Sequence, residues 1–382
     1  MDFISLVLAV ASVLSWMGFV LLPWGSWRNR EILEAVAPDH KRNLQGIGDV
    51  TVLIPARNEA EVIERTLASL VDQASDLSII LVNDGSEDTT VECARQLNIQ
   101  RLQIIESAPL PAGWSGKLWA LEQGRRLVKT PYVLLLDADI ELVPGMFQAL
   151  REKMRAEAIR FISVMAFPSM SNGWEKLAMP AFVYFFKILY PFRLVNTPGK
   201  RMAGAAGGCI LTESRLLDQI GGFASVSSAV IDDCALAYQI KSHGWKIWLG
   251  LTRSARSIRR VRHPGELWDM VARTAFTQLG YSATLLVFCT LAMLLIYAVP
   301  LGLFVFSDGL ARHLSEAALF MMIFSYMPTL RFYKRSLLWS LSLPLTAMLF
   351  LAMTWASAIR YWRGERTRWK GRRYARTSQS CI

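Results

Sequence analysis

Residues 132–139 read Tyr-Val-Leu-Leu-Leu-Asp-Ala-Asp. An apolar run this short suits a strand buried on both faces. Asp137 and Asp139 then stand at its polar end. Two carboxylates there are costly unless a cation or hydrogen-bond donors satisfy them. A hard divalent cation accepts carboxylate and phosphate oxygens together, so both acids are candidate metal ligands. An Asp-x-Asp triplet alone fits a capping turn equally well, and its neighbours decide the reading.

Upstream, residues 50–54 (VTVLI) end at Pro55-Ala56-Arg57-Asn58-Glu59, and the apolar run 79–82 ends at Asn83-Asp84-Gly85-Ser86. Further strand-like runs cover 102–105 and 160–164, with helical patterns at 59–70, 88–97 and 118–128. This alternation predicts an α/β domain with a mostly parallel sheet covered on both faces, binding ligands at the carboxyl ends of its strands. The polar motifs fall on those ends. Asn58 and Ser86 are candidate helix caps, and Gly85 permits a tight turn. Asp84 can accept hydrogen bonds from a base or ribose, while Pro55, Arg57 and Glu59 line the same expected nucleotide pocket. Trp114-Ser115-Gly116-Lys117 sets a lysine before a helix, suited to phosphate, without the P-loop pattern. Asp232-Asp233 offers one carboxylate as proton acceptor from a hydroxyl, with its neighbour and burial adjusting the pKa. Adjacent acids are also common at helix starts. The run 204–208 (GAAGG) suggests close backbone approach.

Hydrophobic residues make up 53% of the 382, concentrated toward the two ends. Residues 3–22 are long and apolar enough to span a bilayer and read as an anchor within 1–24 rather than a cleaved signal. Arg28, Arg30, Lys41 and Arg42 follow, which places the next domain, 48–270, in the cytosol. Residues 282–306 and 337–359 are also long enough to cross. Residues 317–330 are apolar but short, with Pro328 near their end, so the membrane region 282–359 holds two or three spans. Charge counting favours two, with 331–335 outside and the tail inside. The segments 174–195 and 253–268 mix apolar and basic residues and read as interfacial.

The formal charge is +11. Residues 360–376 hold eight basic residues against one acidic. A basic cluster after an apolar helix suggests a cytosolic tail, 360–382, on anionic lipid. No recognition module accompanies the charge, which argues against nucleic acid. Cys93, Cys209, Cys234, Cys289 and Cys381 have neither zinc nor disulfide-framework spacing.

Taken together, the motifs resemble the inverting glycosyltransferase family 2 with the GT-A fold, a Rossmann-like nucleotide-diphospho-sugar transferase. The elements VTVLIPARNE, IILVNDGSEDTT, GWSGKLWALEQG, YVLLLDADIEL, GAAGGCILTESRLLDQIGGF and DDCALAYQIKSHGW occur in order between about 50 and 249. The resemblance implies that Asp84 contacts the nucleotide near Pro55 and Glu59, and that Asp137 lies on the ribose or diphosphate side. It implies that Asp139 binds Mg²⁺ or Mn²⁺ and that Lys117 fills the basic position. The family's Glu-Asp-x-x-Leu falls on Asp232, Asp233 and Leu236, making Asp233 the general base with Asp232 in the place of glutamate. The nearest subgroup by this reading is the bacterial hopene-associated glycosyltransferases. The implied reaction is transfer from a UDP-sugar to a membrane lipid acceptor, hopanoid-related, with polyprenyl phosphate, carotenoid or another glycolipid as alternatives. A catalytically inactive scaffold is the remaining alternative, disfavoured by the retained acids. Processive synthases carry Gln-x-x-Arg-Trp after the base, and residues 273–279 (RTAFTQL) lack it. A single transfer is therefore expected.

Overall fold

The computed structural model describes residues 3–36, 48–74, 76–369 and 372–375, with 366–369 and 372–375 described in backbone only. Lys41, Arg42, Cys381 and the tail side chains beyond Glu365 lie outside the described residues.

In the first half of the α/β domain, strands and helices alternate: β1 (Val50–Ala56), α2 (Ile63–Val71), β2 (Ser78–Asn83), α3 (Thr90–Gln96), β3 (Leu102–Glu106), α4 (Gly116–Arg125) and β4 (Tyr132–Leu136), with α1 (Phe3–Leu21) preceding them. The aliphatic strands β1 and β4 are buried almost throughout. β3, β2, β1 and β4 are neighbours in that order and all parallel. Parallel neighbours need crossover connections, here through helices that cover the sheet.

The second half departs from the expected parallel pattern. It comprises β5 (Ile140–Leu142), α5 (Met146–Ala156), β6 (Phe161–Phe167), α6 (Gly173–Leu189), α7 (Phe192–Asn196), β7 (Cys209–Glu213), α8 (Ser214–Gln219), α9 (Asp232–Ser242) and β8 (Ile247–Ser257). β7 lies antiparallel between β4 and β6, and β5 is antiparallel to β8. The eight-stranded sheet is therefore mixed. The segment 253–268 divides. Its first residues finish β8, the next form a loop over the sheet end, and the rest enter α10 (Pro264–Ala272).

Short α11 (Ala275–Gln278) leads to α12 (Ala283–Met293), a π-helical turn at Leu294–Ala298, α13 (Val299–Phe306), α14 (Gly309–Phe332) and α15 (Leu343–Trp362). Among the described residues three stretches are long and apolar enough to cross a membrane: Phe3–Leu21, Ala283–Phe306 and Leu337–Trp362. The π turn leaves carbonyls out of the regular ladder, and the Trp16 indole N–H donates to Ile296 O at 2.9 Å. α14 differs from expectation: it is one continuous helix through Pro328, packed along α1 and α13. Its end sits against the α/β domain. The Tyr333 ring is 5.1 Å from Phe167 at the end of β6, and Arg253 lies over Phe332. Residues 331–335 therefore lie on the domain's side, not opposite it. Beyond α15, Glu365–Trp369 and Arg372–Ala375 pair as an antiparallel hairpin.

α6 is a single helix despite Pro180, started by a capping box in which Asn172 and Glu175 bond reciprocally. One face lines the main cavity through Met179, Phe182 and Val183. The other packs on the membrane-type helices, with the Tyr184 hydroxyl 2.8 Å from Ser325 Oγ and the Phe185 ring 5.2 Å from Phe350.

Candidate active site

The ends of β1, β4 and the start of α9 converge on one cavity of about 850 Å³. Pro55, Glu59, Lys117, Asp137, Asp139 and Asp232 all open onto it. A smaller recess beside it is shared by Lys117, Asp137, Gly207, Asp232 and Asp233.

Lys117 is placed by a capped helix start: Ser115 Oγ accepts the Leu118 N–H at 3.3 Å. Its ammonium is 2.7 Å from Asp137 and 4.0 Å from Asp232. Burial works against the charge, but Asp137, Asp232 and Asp233 outweigh it and hold the amine protonated well above its usual range. Burial raises the Asp137 carboxyl, against the pull of this ammonium.

Asp232 and Asp233 open α9, where the positive end of the helix favours carboxylates. The Cys234 N–H donates to Asp233 Oδ1 at 2.8 Å. Burial first, then the neighbouring Asp232 charge, lift the Asp233 carboxyl to about 6, with Lys117 opposing. The glycine run explains the fit. A Cβ on Gly207 would stand 3.2 Å from Asp233 Oδ2 and 3.4 Å from Lys117 Nζ, so a larger residue would crowd both charges.

Asp139 follows the β4 turn, and its backbone carbonyl accepts the Ile258 N–H at 2.9 Å. Its carboxylate takes Ser257 Oγ at 3.1 Å and Arg259 Nε at 3.2 Å, and the same arginine reaches Glu59. Ser257 and Arg259 went unassigned in the sequence. They belong to a basic run in which no spacing marks the inward arginine, and only the strand period after Ser257 hints at it.

Arg57 and Asp84 are not on the cavity wall. The Arg57 guanidinium donates to the carbonyls of Asp84 at 2.6 Å and Gly85 at 2.8 Å, and Asp84 is 2% exposed. Asn58 does not cap α2. It sits at φ 52°, accepts the Glu87 N–H at 2.9 Å, and donates its own N–H to Ser86 Oγ at 3.0 Å. The two strand-end turns thus latch each other.

Among the described residues no group of three or more His, Cys, Asp or Glu converges as a metal cage. The donor set suits a different kind of ion site, in which one or two carboxylates share a Mg²⁺-like ion with water and substrate phosphate. Asp139 and Asp137 fit that arrangement. Met165, Phe182 and Met270 give the cavity an apolar stretch of wall, set among Glu266, Asp269 and Arg273, and α15 contributes Ser357 and Arg360.

Residues 51–221 match the model "Glycosyl transferase family 2". A mannosyltransferase from Pyrobaculum calidifontis, solved with GDP-Man and Mn²⁺, covers 94% of this chain and 100% of its own at TM-score 0.55 and 18% identity, which shows the fold alone. Among curated proteins, 4,4'-diaponeurosporenoate glycosyltransferase of Staphylococcus aureus (strain bovine RF122 / ET3-1) is 34% identical over 91 residues, 24% of each chain. The Staphylococcus haemolyticus (strain JCSC1435) protein of the same name is 31% identical over 104 residues, 27% of this chain and 28% of its own. These alignments span about a quarter of the curated relatives' length. Residues 51–221 of the α/β region are thus similar to family 2 glycosyltransferases, and the fold is GT-A-like and Rossmann-type. The relatives are named for a carotenoid-type acceptor, and none of those compared supports the narrower hopene-associated subgroup.

Proposed function

We propose that this protein is a membrane-attached inverting glycosyltransferase that moves a sugar from a nucleotide diphosphate sugar, a UDP-sugar by the family resemblance, to an oxygen of an apolar lipid. One observation carries the reading: Asp233, held at about 6 beside Lys117 and Asp232, adjoins a cavity that carries an apolar stretch through Met165, Met179 and Phe182 and that the membrane-type helix α15 helps to wall.

In this reading the Asp233 carboxylate takes the proton of the acceptor hydroxyl. The acceptor oxygen forms its bond to the anomeric carbon as the bond to the diphosphate breaks, and the electron pair leaves on the diphosphate. Lys117 supplies fixed positive charge on the leaving side, with Arg259 as a second cation nearby. A divalent ion held by Asp139 and Asp137 would add Lewis-acid stabilisation of the same developing charge. Arg57 acts indirectly, by fixing the buried turn at Asp84 and Gly85 behind the cavity. The curated relatives favour a carotenoid-type acceptor over a hopanoid, since they are named for diaponeurosporenoate. The basic tail holds the chain to anionic lipid, with the α/β domain in the cytosol.

The test is a lipid-product assay. Membranes containing the full chain are incubated with radiolabelled UDP- and GDP-sugars, and extracted lipids are identified by mass spectrometry. A labelled glycoside of a carotenoid-type lipid, absent with Asp233→Asn, is expected. A wild-type protein that binds nucleotide yet labels no lipid would sink the reading.

A further inference from the structure

Each carboxylate of the Asp137/Asp139 pair has its own resident cation. Lys117 occupies Asp137 at 2.7 Å and is hemmed in by the α9 acids, its side chain 21% exposed. Arg259 bridges Asp139 and Glu59 from the loop after β8, and its side chain is 42% exposed. The first cation is built into the floor; the second lies across the cavity on a loop.

A divalent ion that takes Asp139 Oδ2 must displace the guanidinium from that oxygen. An ion arriving alone therefore competes with a charge-assisted pair. An ion arriving with a diphosphate brings anionic oxygens to which the freed fork can turn, and guanidinium matches phosphate geometry well. We propose that Arg259 is a displaceable counter-ion of Asp139, so that the site takes up a divalent ion efficiently only together with a nucleotide diphosphate. The inference rests on the donor reading above and adds a positioning role for a residue outside the recognised motifs. It gives the site a simple order: without donor, Asp139 stays neutralised; with donor, the arginine moves to the leaving group.

Coupling between two ligands is reciprocal and measurable as a ratio of affinities. The experiment uses the full chain in nanodiscs and free Mn²⁺ followed by electron paramagnetic resonance. Mn²⁺ affinity is measured without nucleotide, with UDP and with GDP, in wild type and in Arg259→Ala. The variant should bind Mn²⁺ alone more tightly than wild type, and the enhancement by diphosphate should shrink by roughly tenfold, within the usual range of coupling energies. Arg259→Lys keeps a movable charge and should retain most of the enhancement. Asp139→Asn should lose Mn²⁺ binding with and without nucleotide. An unchanged enhancement in Arg259→Ala, or weaker Mn²⁺ binding in the absence of nucleotide, overturns the counter-ion role while leaving the donor reading intact. Wild type that binds neither Mn²⁺ nor diphosphate overturns both. A partly exposed loop arginine is a tolerant position. If Arg259→Ala nevertheless lowers the Tm, Arg259→Gln carries the same expectation.

Discussion

Asp233 shows how one side chain ties function against stability. Its carboxyl is lifted to about 6 from an ordinary value near 3.8, through burial and the charge of Asp232. The folded protein therefore holds that proton more tightly than the unfolded chain, and ionising Asp233 costs stability as pH rises from about 4 through 6. A base must be ionised to act, so transfer should fall as pH drops below about 6. Asp233→Asn should lose about 10²–10⁴-fold in transfer rate while leaving nucleotide binding close to wild type. It should also raise the Tm at pH 8, with the gain vanishing toward pH 4, where both side chains are neutral. Equal loss of nucleotide binding, or a lower Tm at pH 8, would contradict this account. The acids at 137, 139, 232 and 233 were legible because each follows or opens a recognisable element. The roles of Arg57 and Asp84 were less so. Both sit in the motif, but the guanidinium turns inward onto backbone carbonyls, which no spacing encodes.

Among elements, the parallel half of the sheet was readable because β1, β2 and β4 are unbroken apolar runs ending in polar turns. β8 was not: its second half, Thr252 to Ser257, is polar and basic although largely buried, because Glu34 and Ser254 hydrogen-bond within it. α14 was hidden by Arg312, His313, Glu316 and Pro328, which lower its hydropathy and suggest a break. Tertiary contacts carry it through. Asn29 Nδ2 donates to Pro328 O at 2.7 Å, and buried Lys187 donates to Asn29 Oδ1 at 2.5 Å and Thr329 Oγ1 at 3.0 Å. This amine joins α6, α14 and the segment after α1. Lys187→Met keeps the volume but removes the donor, leaving buried acceptors unmet. It should cost about 1–3 kcal/mol, read as a lower Tm in detergent with the pH profile of transfer unchanged in shape.

At the scale of the whole molecule, the ends of the helices define a path. α14 packs along α1 and ends against the α/β domain. Its 24 residues reach roughly 36 Å at 1.5 Å per residue, enough to cross the hydrocarbon core. α15 ends on the domain too, with Arg360 Nη2 2.5 Å from Asp269 and Ser357 Oγ accepting the Phe276 N–H. It begins shortly after Tyr333, which is also on the domain's side. α15 is also apolar enough to span, but both its ends lie near the domain. A path that crosses by α1, α12–α13 and α14 would put 331–335 and the end of α15 on the domain's side, where charge counting set the two basic clusters in opposition. Single cysteines placed at Ser307 and Ser336 in a cysteine-free background should label from opposite faces of sealed vesicles. Labelling of both from one face would refute the path.

The wall that α15 gives the cavity bears on how the protein can be handled. A soluble piece cut out after α10 would retain the carboxylates, Lys117 and Arg259, and so the means to engage a donor. It would lack Ser357 and Arg360, and the trough beside Asp233 would stand open to solvent. Under the proposed function, water would then reach the place of the acceptor oxygen. Such a fragment should hydrolyse donor slowly rather than transfer its sugar, and a hydrolysis rate measured on it would describe a leak that α15 closes in the intact chain.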